Sequence, residues 1–556
     1  MRPLKKTARI AGSCYPWRVS PGALLACAAL LGAGAVRAAP LPTSGSVHTL
    51  ISHQLDSVAA LSVDELRALL HRDFPNQPAL QSLIGPPLCG VRVYKFRYAT
   101  IGGAGEPTDA SGALMVPTGR APGCRGPRPL VLYTHGTAID HAEDMSAVND
   151  PHNPAYGTAT RVALVFAAQG YVAVAPNYAG YDISTLPYHP YLNGAQQSQD
   201  AIDSLTAGRQ LLARTGRAVS DNGKLFVTGY SQGGYVSMAT LQALDERGRP
   251  ATAGAPMSGP YALLAMSDEI FLGHPDLGAT AYLPMVVNSY AHLRQGSILP
   301  ARILSRRFRN AARLFPGDIG YDGFSKLVSA GEIPESALFQ SAASGAGVPG
   351  FSAARYPVLA ALPEGAPLYK AGFDPSRYLV STAFRAAYVA ELRAHPDGGA
   401  PVDGSAPSLA GTVPTMPAHP RSLLRRDLAR NDLRNYTPSM PLLMCGGYGD
   451  PEVFWNQGAG AMTAVLQSKV TAHPRLRFVT LDLDISAGTA GTYVEHGLSP
   501  PRNAPLRSIG TRLQAAFTAY QHAVAASRGA QVGLEAYHTD ETPYCMVAAR
   551  SLFGLY

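Results

Sequence analysis

The stretch that most constrains this chain runs from Leu225 to Gly233 and continues into Gly234-Tyr235-Val236. The apolar residues from Leu225 to Thr228 predict a buried strand, and the segment from Gln232 to Asp245 predicts a helix. Gly229-Tyr230-Ser231-Gln232-Gly233 must join the two in a hairpin-sharp turn. Such a turn holds its serine in a strained backbone conformation and lifts the hydroxyl above the sheet, the arrangement a nucleophile needs. Gly229 and Gly233 then lack side chains where strand and helix pass closely. With 56 glycines in the chain, the bare pattern can also arise by accident as an ordinary turn, so its weight depends on the residues around it.

Those surroundings alternate. Residues from Val91 to Thr100 predict a half-exposed strand, Gly102 to Thr108 a turn, and Ser111 to Val116 a returning strand. Buried strands follow at Arg128 to Thr134, Tyr171 to Pro176, Leu225 to Thr228 and Ala251 to Pro256, with helices between them at Arg161 to Gln169, Ala195 to Ala213 and Gln232 to Asp245. This order predicts a mainly parallel sheet covered by helices on both faces. From about Tyr261 to Pro438 the alternation stops. Helical pieces (Ser305 to Leu314, Thr382 to His395, Arg421 to Arg434) stand among Gly/Pro-rich connectors, which reads as an inserted helical cap. Alternation resumes with a strand at Met440 to Cys445, a helix at Asn456 to Gln467, a strand at Arg475 to Leu483, and closing helices near Pro505 to Ser527 and Tyr544 to Leu555. The expected organisation is a leader (1–38), an N-terminal extension (39–85), a core in two parts (86–260 and 439–556) and the cap (261–438). Ser62-Val63-Asp64-Glu65 marks a helix start in the extension.

The leader follows from a basic segment, Arg2 to Arg18, then an apolar run from Gly22 to Val36 and small residues in Val36-Arg37-Ala38, which set cleavage after Ala38. The run is short for a membrane span. Six of the basic residues behind the formal charge of +8 precede that point, leaving +2, so the mature protein has no electrostatic claim on nucleic acid. An exported chain, secreted or periplasmic, meets an oxidising compartment. Cys14 and Cys27 leave with the leader, and Cys89, Cys124, Cys445 and Cys545 remain. Of their three pairings, Cys89–Cys124 and Cys445–Cys545 each join elements expected to be adjacent. No C-x-x-C or neighbouring histidine favours a metal instead.

A serine is inert at neutral pH without a base, and the base needs an orienting carboxylate. Asp450, in Cys445-Gly446-Gly447-Tyr448-Gly449-Asp450-Pro451, lies on a Gly-rich loop off a strand's C-terminal end, where sheet enzymes keep their chemistry. Glu452 is its reserve, and a plain turn aspartate is the bland alternative. Among the histidines after Asp450, His473 precedes a strand and His522 falls inside a helix. His538, expected on a loop just before the closing helix, is the preferred base, and His496 is the alternative. Two amide donors must face the developing oxyanion. They are assigned to Gln232, which opens the helix, and to Thr137 in His135-Gly136-Thr137. His135 itself is expected to be a structural hydrogen-bonding residue.

The runs P-L-V-L-Y-T-H-G-T, A-P-N-Y-A-G-Y-D, G-Y-S-Q-G-G, G-G-Y-G-D-P and A-Y-H-T-D-E-T-P-Y-C together resemble the exported bacterial α/β-hydrolases of the secretory-lipase and carboxylesterase type. The resemblance covers about residues 86–260 and 439–556. It implies an α/β-hydrolase fold, a nucleophile–acid–histidine order of Ser231, Asp450 and His538, a small-molecule or lipid ester substrate met in passing at a lipid surface, and no cofactor. Two other readings remain open: an exported peptidase or polyester depolymerase with the same triad, and a non-catalytic binding protein on the same scaffold. Tyr282-Leu283-Pro284-Met285-Val286-Val287 in the cap could line an acyl site or simply form cap core.

Overall fold

The computed structural model describes residues 50–556 apart from 52–56, 217, 294–297, 321, 342–350, 363–366, 398–419 and 486–492. The leader (1–38) lies outside the described residues. The strands are β1 (Ala59–Leu61), β2 (Gly90–Ile101), β3 (Pro107–Thr118), β4 (Gly126–Thr134), β5 (Val172–Pro176), β6 (Val219–Tyr230), β7 (Ala253–Met257), β8 (Leu442–Gly446), β9 (Phe478–Asp482) and β10 (Tyr493–His496). They form one sheet in the order β1-β2-β3-β5-β4-β6-β7-β8-β9-β10. The run from β5 through β9 is parallel, and antiparallel pairs close both sides.

Period-two burial explains why helices are needed on both faces. Leu130 and Leu132 of β4 point into one apolar cluster, with Val172, Val174 and Val227. Val131 and Tyr133 point into the other, with Ala173, Ala175 and Phe226. Each face buries its own row, so neither can meet water. The helices Gly194–Leu212 and Gln232–Glu246 cover the first face; Tyr156–Val165 and Ala530–Phe553 cover the second. Strand order reverses at β4, since β5 lies on one side of it and β6 on the other. At such a switch point the connections diverge and leave a crevice beyond the strands' carboxyl ends. That crevice opens at the ends of β4 and β6.

All eight strands expected from the sequence are present, and β1 and β10 are additional short edge strands. Ser62 caps the helix Val63–Asp73 through a reciprocal capping box with Glu65, as its spacing predicts. Between β7 and β8 the described elements are helices, including Leu263–Leu272, Ala279–Ala291, Thr382–Ala394 and Leu423–Arg430. The stretch 305–314, expected to be helical, is turns with one short 3-10 segment, Ala311–Arg313. Its entrance is held extended, because Leu304 bridges Val380 and the Ser305 N–H donates to the carbonyl of Leu379 at 2.7 Å.

Both expected disulfides are formed, Cys89–Cys124 and Cys445–Cys545, with Cα separations of 5.5 Å each. The second ties the last turns of β8 to the closing helix across a sequence separation of 100. Closing so long a loop restricts the unfolded chain, so replacing Cys445 and Cys545 together by Ala should cost about 2–5 kcal/mol. Thermal unfolding of the oxidised protein beside the double variant checks this; an unchanged midpoint would contradict it.

Candidate active site

Ser231 has φ 60° and ψ −125°, a conformation that side chains other than glycine seldom hold. The packing around it leaves no alternative. An added Cβ at Gly233 would overlap the carbonyl oxygen of Thr134 and stand 2.6 Å from that of His135. At Gly229 it would overlap the Thr134 hydroxyl, and at Gly234 the carbonyl of Met257. The Thr134 hydroxyl also donates to the carbonyl of Gly233 at 2.7 Å and lies 3.2 Å from that of Thr228, and the Ser231 N–H donates to the carbonyl of Met257 at 3.0 Å. The ends of β4 and β7 therefore clamp the turn from both sides.

The loop after β4 passes over this turn, since a Cβ on Gly136 would lie 3.3 Å from the carbonyl of Tyr230 and 3.5 Å from the Ser231 Cβ. This brings Thr137 beside Ser231 and Gln232, and all three line one cavity. No protein acceptor among the described residues takes the N–H of Thr137 or Gln232. The Thr137 hydroxyl meets the Tyr191 hydroxyl at 2.8 Å. The Gln232 side chain donates to His189 Nε2 at 2.7 Å, and His189 Nδ1 faces the carbonyl of Ala179 at 2.9 Å. Burial pushes the His189 imidazole down to about 3, so its neutral ring is a fixed acceptor that holds Gln232. His135 is likewise structural. It lies between the carbonyls of Gly136 and Asn177 at 2.7 and 3.2 Å, and burial lowers it to about 4.

Asp450 and His538 meet, with Nδ1 2.6 Å from Oδ2. The other carboxylate oxygen accepts the N–H groups of Glu452 at 2.9 Å and Val453 at 3.1 Å, so the group cannot rotate away. Burial alone would lower the His538 pKa. The charges of Asp450 and Glu452 outweigh it and raise the group to about 10, which favours the imidazolium. His538 Nε2 is buried with no hydrogen-bond partner and makes no hydrogen bond to Ser231 Oγ. The two residues are linked through Tyr230, whose ring packs 4.9 Å from the imidazole, one position before Ser231.

His538 corrects one expectation. It stands inside the helix Ala530–Phe553, not on a loop ahead of it. The helix break is Gly529, at φ 96°, and the helix runs on through Pro543, so it starts well ahead of the expected Tyr544. His496 lies elsewhere, at the end of β10 opposite Phe478, which pairs with Leu442 at the start of β8. Asp450 follows the other end of that strand. Glu452 accepts from the Tyr282 hydroxyl at 2.5 Å and lines the cavity beside Ser231. Residues not anticipated from the sequence include Glu541, fully buried, with the hydroxyls of Ser258 and Tyr230 hydrogen-bonded to its Oε1. The only signal for Glu541 was its position three residues after His538, one helical turn on.

The sheet and its helical cover define the α/β-hydrolase fold. A model of the prolyl oligopeptidase family matches residues 158–280. Among solved structures, the rice cell wall degrading esterase LipA from Xanthomonas oryzae is similar at 23% identity and a TM-score of 0.55, over 78% of this chain and 90% of that one. Another structure of that esterase matches at 22% identity and a TM-score of 0.55, over 88% of this chain and 97% of that one. A putative hydrolase from Legionella pneumophila matches at 20% identity and a TM-score of 0.52, over 76% of this chain and 89% of that one. No curated protein matches the chain.

The clamp makes a direct prediction. Gly233→Ala drives a methyl into backbone that cannot yield, so it should destabilise the protein by about 3 kcal/mol or more. Denaturant unfolding measures it, and a change within about 0.5 kcal/mol would show that the turn is not so confined.

Proposed function

We propose that this protein is an exported serine hydrolase that cleaves carboxylic esters, with Ser231 as nucleophile, His538 as base and Asp450 as its orienting partner. The observation that carries the reading is Ser231 at its strained turn, opening onto a cavity of about 90 Å³. Ser231 Oγ attacks the ester carbonyl as His538 Nε2 takes its proton. The carbonyl oxygen becomes an oxyanion facing the N–H groups of Gln232 and Thr137. Collapse breaks the bond to the alcohol, which leaves with the proton from His538. Water then attacks the acyl-enzyme by the same proton route and frees the acid.

The cavity walls support an apolar acyl part. Leu263, Met266, Ile270, Leu283, Val286 and Leu424 line it, all from the segment read as a cap inserted at 261–438. A pocket of this size has room for a short chain. The Cys89–Cys124 and Cys445–Cys545 bridges fit an oxidising compartment, which supports a leader removed after Ala38 and a secreted or periplasmic protein. The partner is a small-molecule or lipid ester, with transient lipid-surface contact where the ester is a lipid. The match to the prolyl oligopeptidase family favours a peptidase as the second reading.

Hydrolysis of p-nitrophenyl esters from acetate to palmitate by the mature protein, beside Ser231→Ala, tests this. Activity should peak at about four carbons and fall by about 10³-fold or more in the variant. Cleavage of peptidyl p-nitroanilides with every ester untouched would replace the ester reading with the peptidase.

A further inference from the structure

We propose that Glu541 is a positioning residue: its carboxylic acid hands a hydrogen bond through Ser258 to Asp450, and so fixes the carboxylate that holds His538. The inference rests on the triad reading above and adds a second carboxyl to it.

Three strands and the closing helix converge on this point. Ser258, just past β7, has φ 41° and donates its N–H to the carbonyl of Cys445 at 2.7 Å, which turns its hydroxyl under the loop after β8. That hydroxyl lies 3.3 Å from Asp450 Oδ2 and bonds Glu541 Oε1. Tyr230, at the end of β6, is 2.7 Å from the same Oε1, 3.3 Å from His538 Nδ1, and bonded to the carbonyl of His538. The Gly-rich loop makes room for these groups. A Cβ on Gly446 would come within 2.9 Å of the Ser258 hydroxyl, and one on Gly447 within 2.6 Å of Glu541 Oε2. The two glycines beside the acid thus leave room for Ser258, and for Glu541 together with the Tyr537 hydroxyl.

A serine hydroxyl has one proton to give. With Glu541 ionised, two carboxylates compete for it across Ser258. With Glu541 neutral, the chain runs one way: the Glu541 acid donates to Ser258 Oγ, Ser258 donates to Asp450, and Asp450 keeps its charge for His538. The groups facing Glu541 are Asp450 from the loop after β8, His538 and Tyr537 on its own helix, Tyr230 on β6 and Tyr261 beyond β7. His538 is the one cation among them. Burial first, and then the charge of Asp450, push the Glu541 carboxyl up to about 8, so the neutral form belongs to neutral pH. Ionised Glu541 in turn favours the His538 imidazolium.

The sign of the pH effect follows. Catalysis needs the free imidazole, and a nearby carboxylate raises the pH at which it appears. Glu541→Gln keeps a donor for Ser258 and removes that charge. Its kcat on p-nitrophenyl butyrate at pH 7 should stay within about 3-fold of wild type, and its ascending kcat/KM limb should move to lower pH. Glu541→Ala should lose about 10- to 100-fold in kcat with KM unchanged, once scaled to folded protein. Ser258→Ala should lose kcat in the same way and serves where Glu541→Ala does not fold. If the Glu541→Gln profile superposes on wild type, and Ser258→Ala keeps full kcat, Glu541 is only core and the inference is overturned. That outcome leaves the ester reading standing. Wild type and Ser231→Ala alike on every ester would bring down both.

Discussion

The structure depends on one close approach, that of the helix Gln232–Glu246 to the ends of β4 and β7 at Gly229, Gly233 and Gly234. Main-chain oxygens occupy the space where side chains would stand, so the turn between strand and helix has no slack. Ser231 pays for this in backbone strain of about 1–3 kcal/mol, which the buried sheet on either side supports. The same approach places Ser231 and Gln232 side by side in the wall of one cavity, near where the strand order reverses at β4.

Around this rigid point the site is held by buried polar groups. His189 is kept neutral by burial and pins the Gln232 side chain; two backbone amides pin Asp450; Tyr230 ties the strand that carries Ser231 to the His538 helix. The Cys445–Cys545 bridge joins the acid's strand to the histidine's helix covalently. Each of the three chemical groups thus comes from a different element, and each element is tied to its neighbours by contacts that do not involve substrate. In the proposed reaction, such preorganisation would let donors and acceptors wait where charge develops.

Much of this was legible in the sequence, for physical reasons that can be named. Apolar runs such as Leu225 to Thr228 and Met440 to Cys445 carry strands buried on both faces, and glycine spacing around Ser231 marks a turn that only glycines permit. Asp450 was legible because its loop follows a strand's carboxyl end. The helix around His538 was not. Pro543 looks like a boundary, whereas the helix pays one lost N–H bond there and starts at Gly529. Strand β10 is short and polar and takes its place only by pairing with β9, which no local pattern encodes. Glu541 and Ser258 were invisible because their meaning lies in contacts between residues 283 positions apart. The helical expectation at 305–314 failed for the same reason, a distant strand-like bridge overriding local propensity.

The proposed chemistry stands on Ser231 as an activated nucleophile. A fluorophosphonate, which phosphonylates such a serine with loss of fluoride, tests it by intact mass and peptide mapping of the mature protein. One adduct is expected, on Ser231, and it should form at least about 10³-fold more slowly in His538→Ala. No adduct in folded wild-type protein, or an adduct mapped to another residue, would contradict it.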